Sequence, residues 1–127
     1  MKRTINTLFS TDVIAAVLSE LPVDKKHLPT ELRRLHPIFF KMSDLTIFNS
    51  FRFDQRGTFP YSLSVDQALS NLETAGVLPR VNPKLDRYEI TSNLRKYYES
   101  NVKAKLTPRQ KTEVVKVAHE LSKIASN

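Results

Sequence analysis

Three observations predict a mostly helical α+β domain. Apolar residues recur at helical spacing in several windows. One glycine-stopped helix is followed by two short strand-like runs around an Asn-Pro turn. The 127-residue chain is 40% hydrophobic and 26% charged, a globular balance sufficient for a single core without covalent staples.

The first helix is predicted from Asp12 to Leu21, capped by Ser10 or Thr11, with Val13, Ala16, Val17 and Leu21 on one face and Pro22 ending it. "VDKKHLPTELRRLHP" reads as a loop and then a short helix from Thr30 to Leu35. In that helix Leu32 and Leu35 point inward, Arg33 and Arg34 outward, and Pro37 breaks it. "IFFKM" is apolar and must be buried. Over residues 44–53, Leu45, Phe48 and Phe51 suit a helix while Ile47, Phe51 and Phe53 suit a strand; a helix to about Asn49 and an extended piece to Phe53 is the favoured expectation. "DQRG" is a turn in which Gly57 takes positive φ, and Pro60 holds "TFPYS" extended.

The most patterned segment is "SVDQALSNLETAGVLPRVNPKLDRYEIT", Ser64 to Thr91. Ser64 and Gln67 have capping-box spacing, and Val65, Ala68, Leu69, Leu72 and Ala75 make an apolar stripe. Gly76 stands where a helix C-terminus calls for a left-handed residue. Val77–Val81 and Arg87–Thr91 read as strands around "NPKLD". Beyond them a helix buries Leu94, Tyr97, Tyr98 and Val102. A last helix starts at the Thr107–Gln110 capping box with Pro108 in its first turn. It carries Val114, Val117, Ala118, Leu121 and Ile124/Ala125 as its stripe, under two heptads long.

Charge is distributed unevenly. Residues 1–90 hold twelve basic and ten acidic side chains, while residues 91–127 hold eight and three, and the whole chain is +7. A basic tail third suggests an acidic partner, of which nucleic acid is the commonest; the competing reading is a solvated lysine-rich surface. Cysteine is absent, so no disulfide, thiolate metal site or cysteine nucleophile is available. "MKRTINTLFSTD" lacks the apolar core of a signal peptide, and the longest apolar run, Val13–Leu18, is too short to span a bilayer. The expectation is a cytoplasmic protein without a membrane partner.

Signals for catalysis are sparse. With two glycines, Gly57 and Gly76, no phosphate-cradling loop or nucleophile elbow can be written. His27, His36 and His119 lack ligand spacing, and His119-Glu120 is followed at position 123 by lysine instead of a second histidine. No catalytic residue, metal site or cofactor is expected, and the protein is read as non-enzymatic.

The run "VDQALSNLETAGVLPR…RYEIT" resembles the recognition helix and wing of the winged helix-turn-helix superfamily, the similarity lying in "LETAG" followed by "VL". It covers about residues 64–91. It implies a winged-helix-like domain over residues 1–91, with residues 92–127 as a basic helical extension packing on that domain or on a dimer partner. The family's second helix and tight turn would fall at "FRFDQRGTFPYSL", which carries two turn signals and a proline instead. The resemblance implies a non-catalytic regulatory module, of bacterial or phage type, associated with nucleic acid. The alternative is a protein-interaction or accessory subunit of the same fold that does not bind DNA.

Within that frame the candidate phosphate contacts are Arg80, Lys84 and Arg87 around the wing, and Arg95, Lys96, Lys103 and Lys105 beyond it, continuing to Arg109 and Lys111. The solvent face of the Ser64–Ala75 helix carries Asp66 and Glu73 but no lysine or arginine, which disfavours close approach to DNA. Gln67 and Asn71, at i and i+4, have the chemistry to read adenine edges; the competing reading leaves them solvated. The helix is therefore expected to be chiefly structural, and the basic residues to carry contact. The partners expected are nucleic acid, a protein, or a second copy joined through C-terminal helices.

Overall fold

The computed structural model describes residues 8–81 and 84–127. Helix α1 (Ser10–Ser19) is followed by strand β1 (His27–Pro29), helix α2 (Leu32–Lys41) and a 3-10 turn at Thr46–Phe48. Strands β2 (Asp54–Arg56) and β3 (Phe59–Tyr61) come next, then helix α3 (Leu63–Thr74) and strand β4 (Arg87–Glu89). Helices α4 (Ser92–Asn101) and α5 (Pro108–Ser122) complete the chain, with a 3-10 turn at Lys103–Lys105 between them.

α1 is the centre of the molecule. Every residue from Asp12 to Ser19 is buried, so the helix has no solvent face; a helix apolar on all sides must be enclosed. α3, α4 and α5 pack around it. Its cap is Phe9 and not Ser10 or Thr11, and the Asp12 carboxylate reaches back to accept the Phe9 N–H at 3.0 Å. The last helix packs its stripe of Val114, Val117, Ala118 and Leu121 into the same core within its own chain.

β1 and β4 pair antiparallel, Leu28 opposite Tyr88. Two single-residue bridges extend this ribbon: Arg80 beside Tyr88 on one edge and Ser126 beside His27 on the other. An early strand between the first two helices thus joins the strand that follows α3. The result is a winged-helix-like α+β arrangement. The sequence expectation of a loop over this early segment is corrected: three residues that include Pro29 show no alternation to read.

Three further expectations are corrected. α2 runs through Pro37 and takes in "IFFK"; the proline lacks one backbone donor, and buried Leu35, His36 and Phe39 hold the helix across the gap. Residues 54–61 form a hairpin, Asp54 opposite Tyr61 and Gln55 opposite Pro60, where a turn and an extended approach were expected. The α3 cap is Ser62, whose hydroxyl accepts the Val65 N–H at 3.2 Å, and Ser64 lies inside the helix.

The other end of α3 follows the sequence closely. Gly76 has φ +81°, its N–H donates to the Glu73 carbonyl, and the Val77 N–H donates to the Leu72 carbonyl, the paired bonds of a left-handed helix stop. Ala75 is exposed at this stop and leaves the apolar stripe. The expected strand Val77–Val81 narrows to the residues near Arg80, where Val81 N–H donates to the Arg87 carbonyl and Glu89 N–H to the Pro79 carbonyl. The Asn82-Pro83 turn lies outside the described residues.

Candidate nucleic-acid interface

α3 is oriented from its first turn. His36 on α2 is buried, its Nδ1 accepts the Ser62 N–H at 2.9 Å, and its ring stacks on Tyr61 at 4.8 Å. The Tyr61 hydroxyl in turn donates to Asp66 Oδ2 at 2.8 Å. One of the two carboxylates that disfavoured this helix is therefore drawn toward the hairpin. The other, Glu73, accepts from Arg80 Nε at 3.2 Å, and the Arg80 guanidinium lies over the Tyr88 ring at 5.4 Å. Burial raises the Tyr88 phenol above its ordinary value, against the opposing pull of Arg80.

With both carboxylates engaged, the outward residues of α3 are Leu63, Gln67, Ser70, Asn71 and Thr74, all neutral. Gln67 lines two open cavities of about 340 Å³ each. One lies toward the hairpin with Arg52, Asp54 and Ser64; the other lies toward the wing with Asp66, Ser70 and Arg80. Asn71 differs from Gln67, because its amide donates to the Thr11 hydroxyl at 3.0 Å and links α3 to α1.

The wing residues are divided by strand alternation. Arg80 sits opposite Tyr88, so their side chains share a face, and Arg87, one residue earlier, projects to the other. Arg87 is half-buried and lines a different cavity, of about 330 Å³, with Arg34 of α2 and Ile124; Asp86 is 3.9 Å away. Lys84 is exposed. Arg80 and Arg87, expected to act together with Lys84, thus fall on two surfaces.

Of the C-terminal set, two serve the core. Arg95 donates from its guanidinium to the carbonyls of Ser19 and Leu21, satisfying acceptors that the end of α1 leaves open. Lys105 pairs with Asp12 at 3.2 Å and lies over Phe9. The same carboxylate, 4% exposed, is 3.4 Å from the Tyr97 hydroxyl. Lys103 pairs with Glu99 at 3.4 Å on the surface, a contact of little strength, and Lys96 is exposed without an ion pair among the described residues. Tyr98 is buried and donates to Glu20 at 3.0 Å. Burial first, and then Glu20, raises its phenol far above the ordinary value. Tyr97 is raised too, by burial and by Asp12. The tyrosine pair thus braces α4 on α1.

Sequence reasoning passed over Arg52, whose place beside α3 depends on the unread hairpin. It also passed over Glu113, which looks like a surface acid at helical spacing. Glu113 is 5% exposed and accepts from the Thr46 hydroxyl at 2.7 Å, the Ile47 N–H at 3.0 Å and Arg109 at 3.3 Å. Burial works to raise this carboxyl, but the Thr46 and Ile47 bonds and the Arg109 charge together hold it below its ordinary value. Among the described residues no group of three or more His, Cys, Asp or Glu could hold a metal ion, and no helix is long and apolar enough to cross a membrane. Comparisons of the chain with protein-family models, curated proteins and solved structures give no match.

Proposed function

We propose that this protein is a non-catalytic regulatory module of winged-helix type that contacts nucleic acid through the α3–wing face. The observation that carries this reading is the polar face of α3 set between two arginines. Asp66 accepts from Tyr61 and Glu73 from Arg80, and the helix offers Gln67 and Ser70 between Arg52 and Arg80, in two cavities that also hold the Asp54 and Asp66 carboxylates. Such a face has arginines for phosphates and Gln67 for a base edge. The Arg80–Glu73 pair is solvent-exposed on both sides, so Arg80 can meet a phosphate while it stays beside Glu73, whose charge offsets part of the attraction. Lys84 adds to the same electrostatic footprint, and Asn71, already bonded to Thr11, contributes less than Gln67.

Chemical-shift mapping of the labelled protein during titration with a duplex tests this. The expected result is displacement of amide signals in Ser64–Thr74 and around Arg80, and weakened binding for Arg52→Gln/Arg80→Gln. Shifts confined to other surfaces overturn it.

A second reading has one observation in its favour. Phe40 and Leu63 are about half exposed (50% and 54%), and Phe40 packs edge-on against Phe53. Exposed aromatic and aliphatic side chains of this kind suit a protein partner. On that reading an Phe40→Ser/Leu63→Ser variant loses a copurifying protein while duplex titration leaves the α3 amides unmoved.

A further inference from the structure

We infer that the outer face of α5, together with Lys41 of α2, is a second phosphate-contact surface that takes the backbone of a nucleic acid. The inference rests on the nucleic-acid reading above and adds a site that the wing-centred account does not contain.

Its basis is the fate of the acidic residues in the last third of the chain. There are three: Glu99, Glu113 and Glu120. Glu113 is withdrawn into the core, where it serves the 3-10 turn at Thr46–Phe48. The Glu120 side chain is only 19% exposed and is shared by two ammonium groups, Lys41 Nζ at 3.0 Å and Lys123 Nζ at 3.1 Å. Glu99 lies on α4. The surface of α5 therefore shows cations without a free carboxylate to offset them, although the helix sequence contains two acids. One carboxylate between two largely exposed lysines leaves a surplus positive charge, and an arriving anion meets both ammonium groups.

Exposed polar and basic residues extend this centre along the helix. Thr112, Lys116, His119 and Lys123 are all exposed and follow at intervals of four, three and four residues, one row on a helix. Arg109 flanks the row, near Glu113. Lys116 makes no ion pair among the described residues. Lys116 and Lys123 are separated by roughly 10 Å along the axis, about three rises of 3.4 Å on one nucleic-acid strand. α5 packs inward on α1, α2 and the Thr46–Phe48 turn, while α3 packs on α1. The row points away from that core, so this surface is separate from the α3 face.

A strand of phosphates fits better than a lipid surface. Val115 is the sole large hydrophobic exposed on α5 among the described residues, and one aliphatic side chain gives too little apolar area for interfacial insertion. Apart from Val115 and the lysines at 116 and 123, the exposed positions of the helix are Pro108, Arg109, Lys111, Thr112 and His119.

The test is the salt dependence of duplex binding, read by anisotropy of a fluorescein-labelled duplex. Lys41→Gln/Lys116→Gln/Lys123→Gln is expected to bind about tenfold or more weakly at low salt. The slope of log affinity against log salt is expected to fall by about 2 to 3, at roughly 0.9 per phosphate lost. The corresponding triple arginine variant keeps the wild-type slope. Lys116→Gln alone, which breaks no ion pair, lowers the slope by about 0.9 and serves if the triple variant melts early. A wild-type slope in both glutamine variants overturns the inference while leaving the α3–wing reading intact. Absence of duplex binding by the wild type at about 50 mM salt overturns both. Retention on phosphatidylserine vesicles that depends on the same three lysines, without duplex binding, assigns the surface to lipid and also overturns the inference.

Discussion

Glu113 lies on α5 between Thr112 and Val114, and its carboxylate closes the open end of a 3-10 turn nearly seventy residues away in sequence. Replacing it by alanine leaves the buried Ile47 N–H without its acceptor, at a cost of roughly 1–3 kcal/mol. Glu113→Gln keeps an acceptor but removes the charge. The folded-state carboxyl is held below its ordinary value of 4.5, so its stabilising share is complete above that value and is lost as pH falls through the folded value. The difference in unfolding free energy between wild type and Glu113→Gln is therefore expected to be flat from about pH 7 to 5 and to narrow below about pH 4.5. Denaturant melts across that range check it, and a gap unchanged at about pH 3 contradicts the assigned state. A glutamate between a threonine and a valine gave no sign of this in sequence, because its partners belong to a turn whose position depends on tertiary packing. Asp12 has the same character: it looks like a first-turn acid, and the structure gathers Phe9, Tyr97 and Lys105 around it.

At the scale of elements, regular spacing was legible and three-residue pieces were not. The α3 stripe from Val65 to Leu72, the Gly76 stop and the Thr107–Gln110 box could be read because each is local, and the structure bears them out. β1 and the β2–β3 hairpin could not, since strands of three residues are defined by their partners. The α3 cap separates the two cases in a measurable way. Ser62 is buried and bonded to the Val65 N–H, so Ser62→Ala should cost about 1 kcal/mol. Ser64→Ala should stay within about 0.5 kcal/mol; the opposite ranking in thermal melts would restore the cap expected from sequence. Leu72, 1% exposed in the core, should cost roughly 2–5 kcal/mol when cut to alanine. A near-neutral result there means that α3 does not pack on α1 as described. For the candidate interface, legibility was poorer: residue type identified the cations, but Arg80 and Arg87 are parted by strand alternation and Arg95 is taken by the end of α1.

For the whole molecule, α1 is the element on which the others depend. α3, α4 and α5 each cover part of it, and its Val13–Leu18 run has no exposed side. Removing residues 107–127 strips one cover and also the Ser126 bridge to His27. The shortened chain is expected to lose cooperative thermal unfolding and to bind a hydrophobic dye. A sharp transition at the wild-type temperature would show that α5 is dispensable to the core. α3 and α5 pack on the same helix, so the two contact surfaces proposed above would be held at a fixed separation.

The central claim, that this body contacts nucleic acid, is tested most directly by equilibrium binding of the wild-type protein to a labelled duplex over a salt series. The account predicts measurable binding at low salt and a linear fall of log affinity with log salt, with a slope of several units at about 0.9 per neutralised phosphate. No binding at low salt, or an affinity independent of salt, contradicts it.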